Sequence, residues 1–259
     1  MTAALNPFDY SPSRRLHDRV KRRLTQWRVV RPITSLPKAS MITFTFDDFP
    51  VSSVTAGGDA LAPFDISATY YACSGLAGEA NLTGELYTEE HLDDLKKAGH
   101  DIAAHTDTHL DCAASKKSVV IADIQRNLDW LQMRGIETDG FAYPYGETTV
   151  ELKRELKSNF STARGILPGI NRKGSDLTQL RAIELTPEDW THRRAEAAIE
   201  TVSKIGGWLI FFTHDVRETP SPFGVQPGVL KKLARQSRDS GADLVNMRDA
   251  SALLERSRT

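Results

Sequence analysis

From Met41 onward the chain alternates between short β-prone, apolar runs and longer stretches whose apolar residues recur every three or four positions. The first kind predicts strands at 41–47, 67–73, 101–105, 140–143, 160–164, 181–185, 207–213 and 242–246. The second predicts helices between them. Segment 88–98 opens at Thr88, carries Glu89 and Glu90 in its first turn and stops at Gly99. Segment 117–134 gathers Val120, Ile124, Leu128 and Leu131 on one face ahead of Gly135, and 191–205 runs into Gly206 and Gly207. Strands that alternate with helices imply a parallel sheet with crossover helices rather than an antiparallel sandwich. About eight strands give an α/β fold, a distorted (β/α)7-8 barrel. The distortion is expected at 165–180, which is irregular and rich in Gly and Asn.

Ahead of the barrel the period is helical. Leu16, Val20, Leu24 and Trp27 follow one another at spacings of four, four and three, so a helix over Arg14 to Val30 lines them up in one stripe surrounded by arginines. A basic amphipathic helix of this kind either docks on an anionic membrane surface or acidic partner, or packs its stripe on the domain as an arm. Packing on the domain is the expectation. Pro32 and Pro37 then separate the arm from the first strand, giving an N-terminal basic arm over 1–40 and a catalytic barrel over 41–259.

Composition alters this picture little. A chain of 259 residues, 40% hydrophobic and 26% charged, can bury a substantial core as one folded unit. The net charge of -1 conceals the arm: residues 14–31 hold eight Lys or Arg and one Asp, a balance of +7 against -8 elsewhere. No nucleic-acid partner is expected, and contact with a membrane is confined to residues 14–31. Met1 to Tyr10 lacks the apolar core of a secretory signal, and Trp208 to Phe212 is too short to span a bilayer. The expected location is cytoplasmic, at the inner membrane surface if the arm attaches there. Two cysteines, Cys73 and Cys112, are expected to be unpaired thiols.

The chemistry lies where strands end. Asp47 and Asp48 close the first strand, His105-Thr-Asp-Thr-His109 follows the third, Tyr143-Pro-Tyr145-Gly146 the fourth and His214-Asp215 the seventh. In a barrel these ends share one mouth. Two imidazoles and a carboxylate, His105, His109 and Asp48, suffice to bind a catalytic divalent metal with a position left for water and substrate, whereas His-x-x-x-His alone is a weak signal. Asp47 is the candidate general base, although an Asp there also suits a cap for the turn near Ser52. His214 is the candidate general acid, against the alternative of a satisfied core histidine. Asp189 either holds the His214 imidazole or simply begins a helix after Pro187. Asp215 reads as a turn residue. The turn at Tyr145, stiffened by Pro144 and freed by Gly146, can present a backbone N–H to a developing oxyanion.

Taken in order, Thr-Phe-Asp-Asp, His-Thr-x-x-His, Tyr-Pro-Tyr-Gly and Thr-His-Asp resemble the motifs of the polysaccharide deacetylase family, carbohydrate esterase family four, over roughly 41–250. The resemblance implies a distorted (β/α) barrel and a divalent metal, zinc, held by Asp48, His105 and His109. It also implies Asp47 as base, His214 as acid, Tyr145 as the oxyanion donor, and Asp189 with Trp190 as the pair that orients the acid. One departure stands out. Many members carry an arginine in the third motif, pairing with the base, where this chain has Ala142. Arg164, ending the next strand, is expected to reach the same spot.

The expected function is metal-dependent removal of an N-acetyl group from an amino sugar or glycan. A non-sugar amide or cyclic imide on the same fold, or a non-catalytic carbohydrate-binding relic, are the alternatives. Loops 74–87, 165–180 and 217–228 should edge the pocket, and Phe223 could stack on a sugar ring or fill the rim.

Overall fold

The computed structural model describes residues 15–257, so Arg14 and the rest of the arm before it, with the final two residues of the barrel segment, lie outside the described residues. The elements run α1 (Leu16–Trp27), β1 (Met41–Asp47), α2 (Val51–Val54), α3 (Ala56–Leu61), β2 (Thr69–Ala72), β3 (Ala80–Asn81), β4 (Gly84–Glu85), α4 (Glu89–Lys97) and β5 (Asp101–Ala104). There follow α5 (Lys117–Gln132), β6 (Gly140–Ala142), α6 (Val150–Leu156), β7 (Thr162–Arg164), β8 (Ile183–Glu184), α7 (Asp189–Ile205), β9 (Trp208–Thr213), α8 (Pro227–Asp239), β10 (Asp243–Leu244) and α9 (Met247–Arg256). Strands occur in each predicted segment, β1 with the bounds expected and the others shorter, and β3 with β4 adds a small antiparallel hairpin in the loop after β2.

The main sheet is parallel and curls in the order β7-β6-β5-β2-β1-β9-β8. One edge of β1 pairs along its length with β9, while the other pairs with β10 at Met41–Ile42 and with β2 at Thr45–Asp47. The gap between β7 and β8 is crossed by an irregular segment: the Ala163 N–H donates to Leu177 O (2.8 Å) and the Gly165 N–H to Leu180 O (2.9 Å). This is the distorted (β/α) barrel.

Alternation along each strand sorts the core into two layers. Ile42, Phe44 and Phe46 of β1, Tyr70 of β2, Ile102 of β5, and Leu209 and Phe211 of β9 join the cluster under the helices. Met41, Tyr71, Ala103, Ala142, Trp208, Ile210 and Phe212 point the other way, into the barrel, where Met247, Ala250 and Leu254 of α9 close one end. Each buried phenylalanine contributes on the order of 2–3 kcal/mol. A one-residue slip of β1 would forfeit two of them, so Phe44 and Phe46 fix the register and force Asp47 inward. The threonines of β1 satisfy that inner face: the Trp208 Nε1–H donates to Thr43 Oγ1 (2.9 Å), and the Thr45 hydroxyl donates to Phe211 O (2.8 Å).

The arm forms as a helix, but its stripe does not pack on the domain. Leu16, Val20, Leu24 and Trp27 are all exposed, Val20 and Leu24 along an open groove beside Thr149, Val150 and Glu151, while Arg22 and Lys153 tie α1 to the domain by polar contacts. No helix among the described residues is long and apolar enough to cross a membrane. Cys73 and Cys112 are buried and unpaired.

Candidate active site

At the end of β1, Asp47 follows the inward positions of Thr43 and Thr45, so by alternation Asp48 should turn away. It does not, because its backbone adopts the left-handed region (φ 51°), which turns the second carboxylate to the same site. Thr106 (φ 68°), His109 (φ 53°) and Tyr145 (φ 57°) are likewise left-handed. Such a backbone costs a residue with a side chain on the order of 1 kcal/mol or more. The cost is concentrated in the segments that converge here.

His105 is fixed from three directions. Its N–H lies 3.1 Å from both Ala72 O and Asn127 Oδ1, and its ring Nδ1 is 2.8 Å from Ala142 O. A carbonyl can only accept, so Nδ1 carries the proton and Nε2 presents a lone pair. The loop to His109 is gripped by Asp123 of α5, which accepts the N–H groups of Asp107 (2.9 Å) and Thr108 (3.0 Å) and the Thr108 hydroxyl (3.0 Å). As a result His105 Nε2 lies 3.7 Å from Asp48 Oδ1, and His109 Nε2 lies 3.2 Å from Asp48 Oδ2. Asp123 and Asn127 were not among the expected site residues. Their signal in the sequence is a pair of polar residues four apart within the face that Val120, Ile124 and Leu131 define.

Burial lowers the His105 pKa to about 4 and the His109 pKa to about 3, so both imidazoles are neutral near pH 7. Burial raises the Asp48 carboxyl, with His105 and His214 opposing. Asp47 differs. Burial pushes its carboxyl up, but Arg164 foremost, then His105 and His214, outweigh burial and hold it below the ordinary value. Asp47 is therefore ionised across the neutral range.

Arg164 does reach Asp47. Its Nη2 bonds both carboxylate oxygens, with the guanidinium 5.0 Å from the Tyr71 ring centre and 4.8 Å from that of Phe212. Ala142 and Arg164 are direct register partners on β6 and β7. The arginine has moved sideways by one strand, and the small side chains of Ala103 and Ala142 share the barrel interior with it.

Tyr145 comes to the site: its ring stands edge-on to that of His109 at 4.6 Å between centres. Gly146, at φ 68°, admits no side chain, since a Cβ would fall 2.3 Å from Ile166. His214 also arrives, half-buried at the end of β9, with its ring Nδ1 3.3 Å from Phe223 O and its charge felt at Asp47, Asp48 and His109.

Asp189 does not. It is exposed in the first turn of α7, the helix-start role that Pro187 permits, and Trp190 beside it is exposed as well. Besides Asp47 and Asp48, the carboxyl on which His214 acts is that of Glu184, which burial raises and His214 lowers. Asp215 is a turn organiser, fully buried and accepting from Arg217 Nε (2.7 Å), the Ser221 N–H (2.8 Å) and the Ser221 hydroxyl. Arg217 also donates to Leu82 O (2.9 Å), joining the two loops expected at the rim.

The donor set fits a divalent cation. One ligand atom each from Asp48, His105 and His109 lies within 4.8 Å of the others, all three residues are buried, and Asp48 Oδ1 and His109 Nδ1 have no hydrogen-bond partner among the described residues. Neutral imidazoles and a carboxylate are what such an ion requires.

Residues 35–161, which include Asp47, Asp48, His105, His109 and Tyr145, match the family model described as polysaccharide deacetylase. No curated protein matches the chain. Among solved structures, a protein of Mycobacterium smegmatis described as a polysaccharide deacetylase superposes with a TM-score of 0.67 at 15% identity, covering 89% of this chain and 96% of that one. The chitin deacetylase of the fungus Colletotrichum lindemuthianum gives 0.60 at 16% identity, with 86% and 92% covered. The peptidoglycan deacetylase PdaC of Bacillus subtilis gives 0.55 at 18%, with 86% and 95% covered. Over its first motifs this chain is thus similar to polysaccharide deacetylases, and through the later strands it shares the fold of those solved structures.

Proposed function

We propose that the protein is a metal-dependent hydrolase that removes an N-acetyl group from an amino sugar or acetylated glycan. The observation that carries this reading is the convergence of Asp48, His105 and His109 beside an Asp47 held ionised by Arg164. Asp48, His105 and His109 would hold a divalent ion, zinc by the softness of two imidazoles, which would supply positive charge to polarise the amide carbonyl and acidify water.

The chain's own residues do the rest. Asp47 accepts a proton from the attacking water, and Arg164 keeps the accepting oxygens oriented and charged. His214 gives a proton to the departing nitrogen. Its Nδ1, if bonded to Phe223 O, turns Nε2 towards the cleft. The Tyr145 turn, packed on His109, offers a backbone N–H to the developing oxyanion.

Acetate release from N-acetylglucosamine oligomers tests the reading, with the protein stripped by chelator and reloaded with zinc. Turnover that returns with the metal is expected. No acetate from any acetylated sugar at full loading, alongside hydrolysis of a cyclic ureide, would transfer the site to another amide.

A further inference from the structure

We propose that α1 is an interfacial helix that docks the protein on an anionic lipid surface. The inference starts from which face of the helix the domain has captured. At about 100° per residue, Leu16, Val20, Leu24 and Trp27 occupy one sector about 80° wide. Their exposures are 76%, 48%, 57% and 76%. Thr25, on the opposite side, is buried.

The contacts confirm the orientation. Arg22 Nε pairs with Glu147 at 2.6 Å. Lys153, fully buried, donates from Nζ to Thr25 O (2.9 Å) and Arg28 O (2.7 Å) at the carbonyl end of the helix, and lies 2.8 Å from Asp176. Asp176 in turn accepts the N–H groups of Val30 (3.1 Å) and Arg31 (3.0 Å). The helix is thus held by its polar face with its apolar face outward, the reverse of a helix recruited to a core.

Charge identifies the occupant. Arg19 and Arg23 border the apolar sector on one side, Lys21 and Arg28 on the other, and all four are exposed. An apolar strip with an aromatic end, lined on both margins by cations, matches a bilayer interface with anionic headgroups. A second copy packed through the same strip would set two rows of cations against each other. The helix also adjoins the site, since Glu147 lies two residues beyond Tyr145, so docking brings the mouth to substrate held at that surface. The docking itself does not rest on the deacetylase reading.

Sedimentation of the full chain with phosphatidylcholine vesicles, with and without phosphatidylglycerol, tests this directly. Binding to the anionic vesicles is expected, weakening as salt rises, and falling about tenfold or more in the double variant Leu24→Glu, Trp27→Glu. Both positions are exposed, so the melting temperature should not change. Absence of binding by the parent at low salt, or equal binding by parent and variant, overturns the proposal. So does a parent dimer in vesicle-free solution that the variant abolishes, which would give the strip to a second copy.

Discussion

Arg164→Ala probes the contact that holds Asp47 ionised. The substitution leaves the Asp47 carboxylate buried with its main counter-charge gone. Breaking one partner from a buried pair costs about 3–5 kcal/mol. At about 1.4 kcal/mol per pH unit, that cost, expressed wholly as protonation of Asp47, moves its pKa up by about two to four. A carboxyl now held below 3.8 would then titrate towards neutrality. The acid limb of kcat/KM should therefore shift upwards, with a loss at pH 6 of up to about 60-fold that largely recovers at pH 9. The assay is the pH profile of acetate release, with metal content and melting temperature measured on the same samples. Since Ala142 and Arg164 are register partners, Ala142→Arg in the Arg164→Ala background should return the acid limb towards its original place. A single variant that keeps its metal, its fold and the parent's acid limb would refute the argument that Arg164 sets the state of the base.

Four further outcomes follow from the same geometry. Asp48→Ala should lose the divalent ion, read by elemental analysis, because two imidazoles alone remain. His214→Ala should lower kcat by about 10²–10⁴-fold with metal retained, the usual scale for losing acid help. Asp189→Ala should leave kcat/KM within about twofold, since that side chain is in solvent at a helix start. In chelator, stability should fall as pH drops from 6.5 towards 4. The unfolded histidines bind protons over that window while His105, at about 4, does not, a contribution of about 3 kcal/mol. A melting temperature that climbs on acidification through this range would contradict it.

How far the sequence reveals this molecule depends on whether a residue's partner is nearby along the chain. The run Trp208–Thr213 is readable as a strand because it is buried on both faces. The ends of β1, β5 and β9 announce a shared mouth because barrel geometry brings any such ends together. α3 is not readable: its Gly57 and Gly58 argue against a helix, and what overrides propensity is close packing, a Cβ on Gly57 lying 3.3 Å from Phe46 and Val216. The orientation of α1 is equally hidden, since periodicity shows that an apolar stripe exists but not which face Lys153 and Glu147 will seize. Asp189 misleads for a local reason. A carboxylate after Pro187 suits a helix start whatever lies beyond, while another carboxyl that His214 lowers, Glu184, sits five positions earlier, at the end of β8.

Counting charge inside the site explains why its parts belong together. With both imidazoles neutral, Arg164 balances one of the two carboxylates, and the balance of Asp47, Asp48 and Arg164 is negative by one in a place where burial penalises every charge. Because Arg164 bonds Asp47, the surplus falls on Asp48, the carboxylate whose Oδ1 has no hydrogen-bond donor among the described residues. The neutral histidine nitrogens beside it add lone pairs and no compensating charge. The desolvation that raises the Asp48 carboxyl and strips protons from His105 and His109 is therefore the same force that makes a divalent cation the favourable complement. On the function proposed above, Arg164 would bear on metal binding without touching the ion: by engaging Asp47 it would keep that carboxylate from competing as a ligand and leave Asp48 to bind.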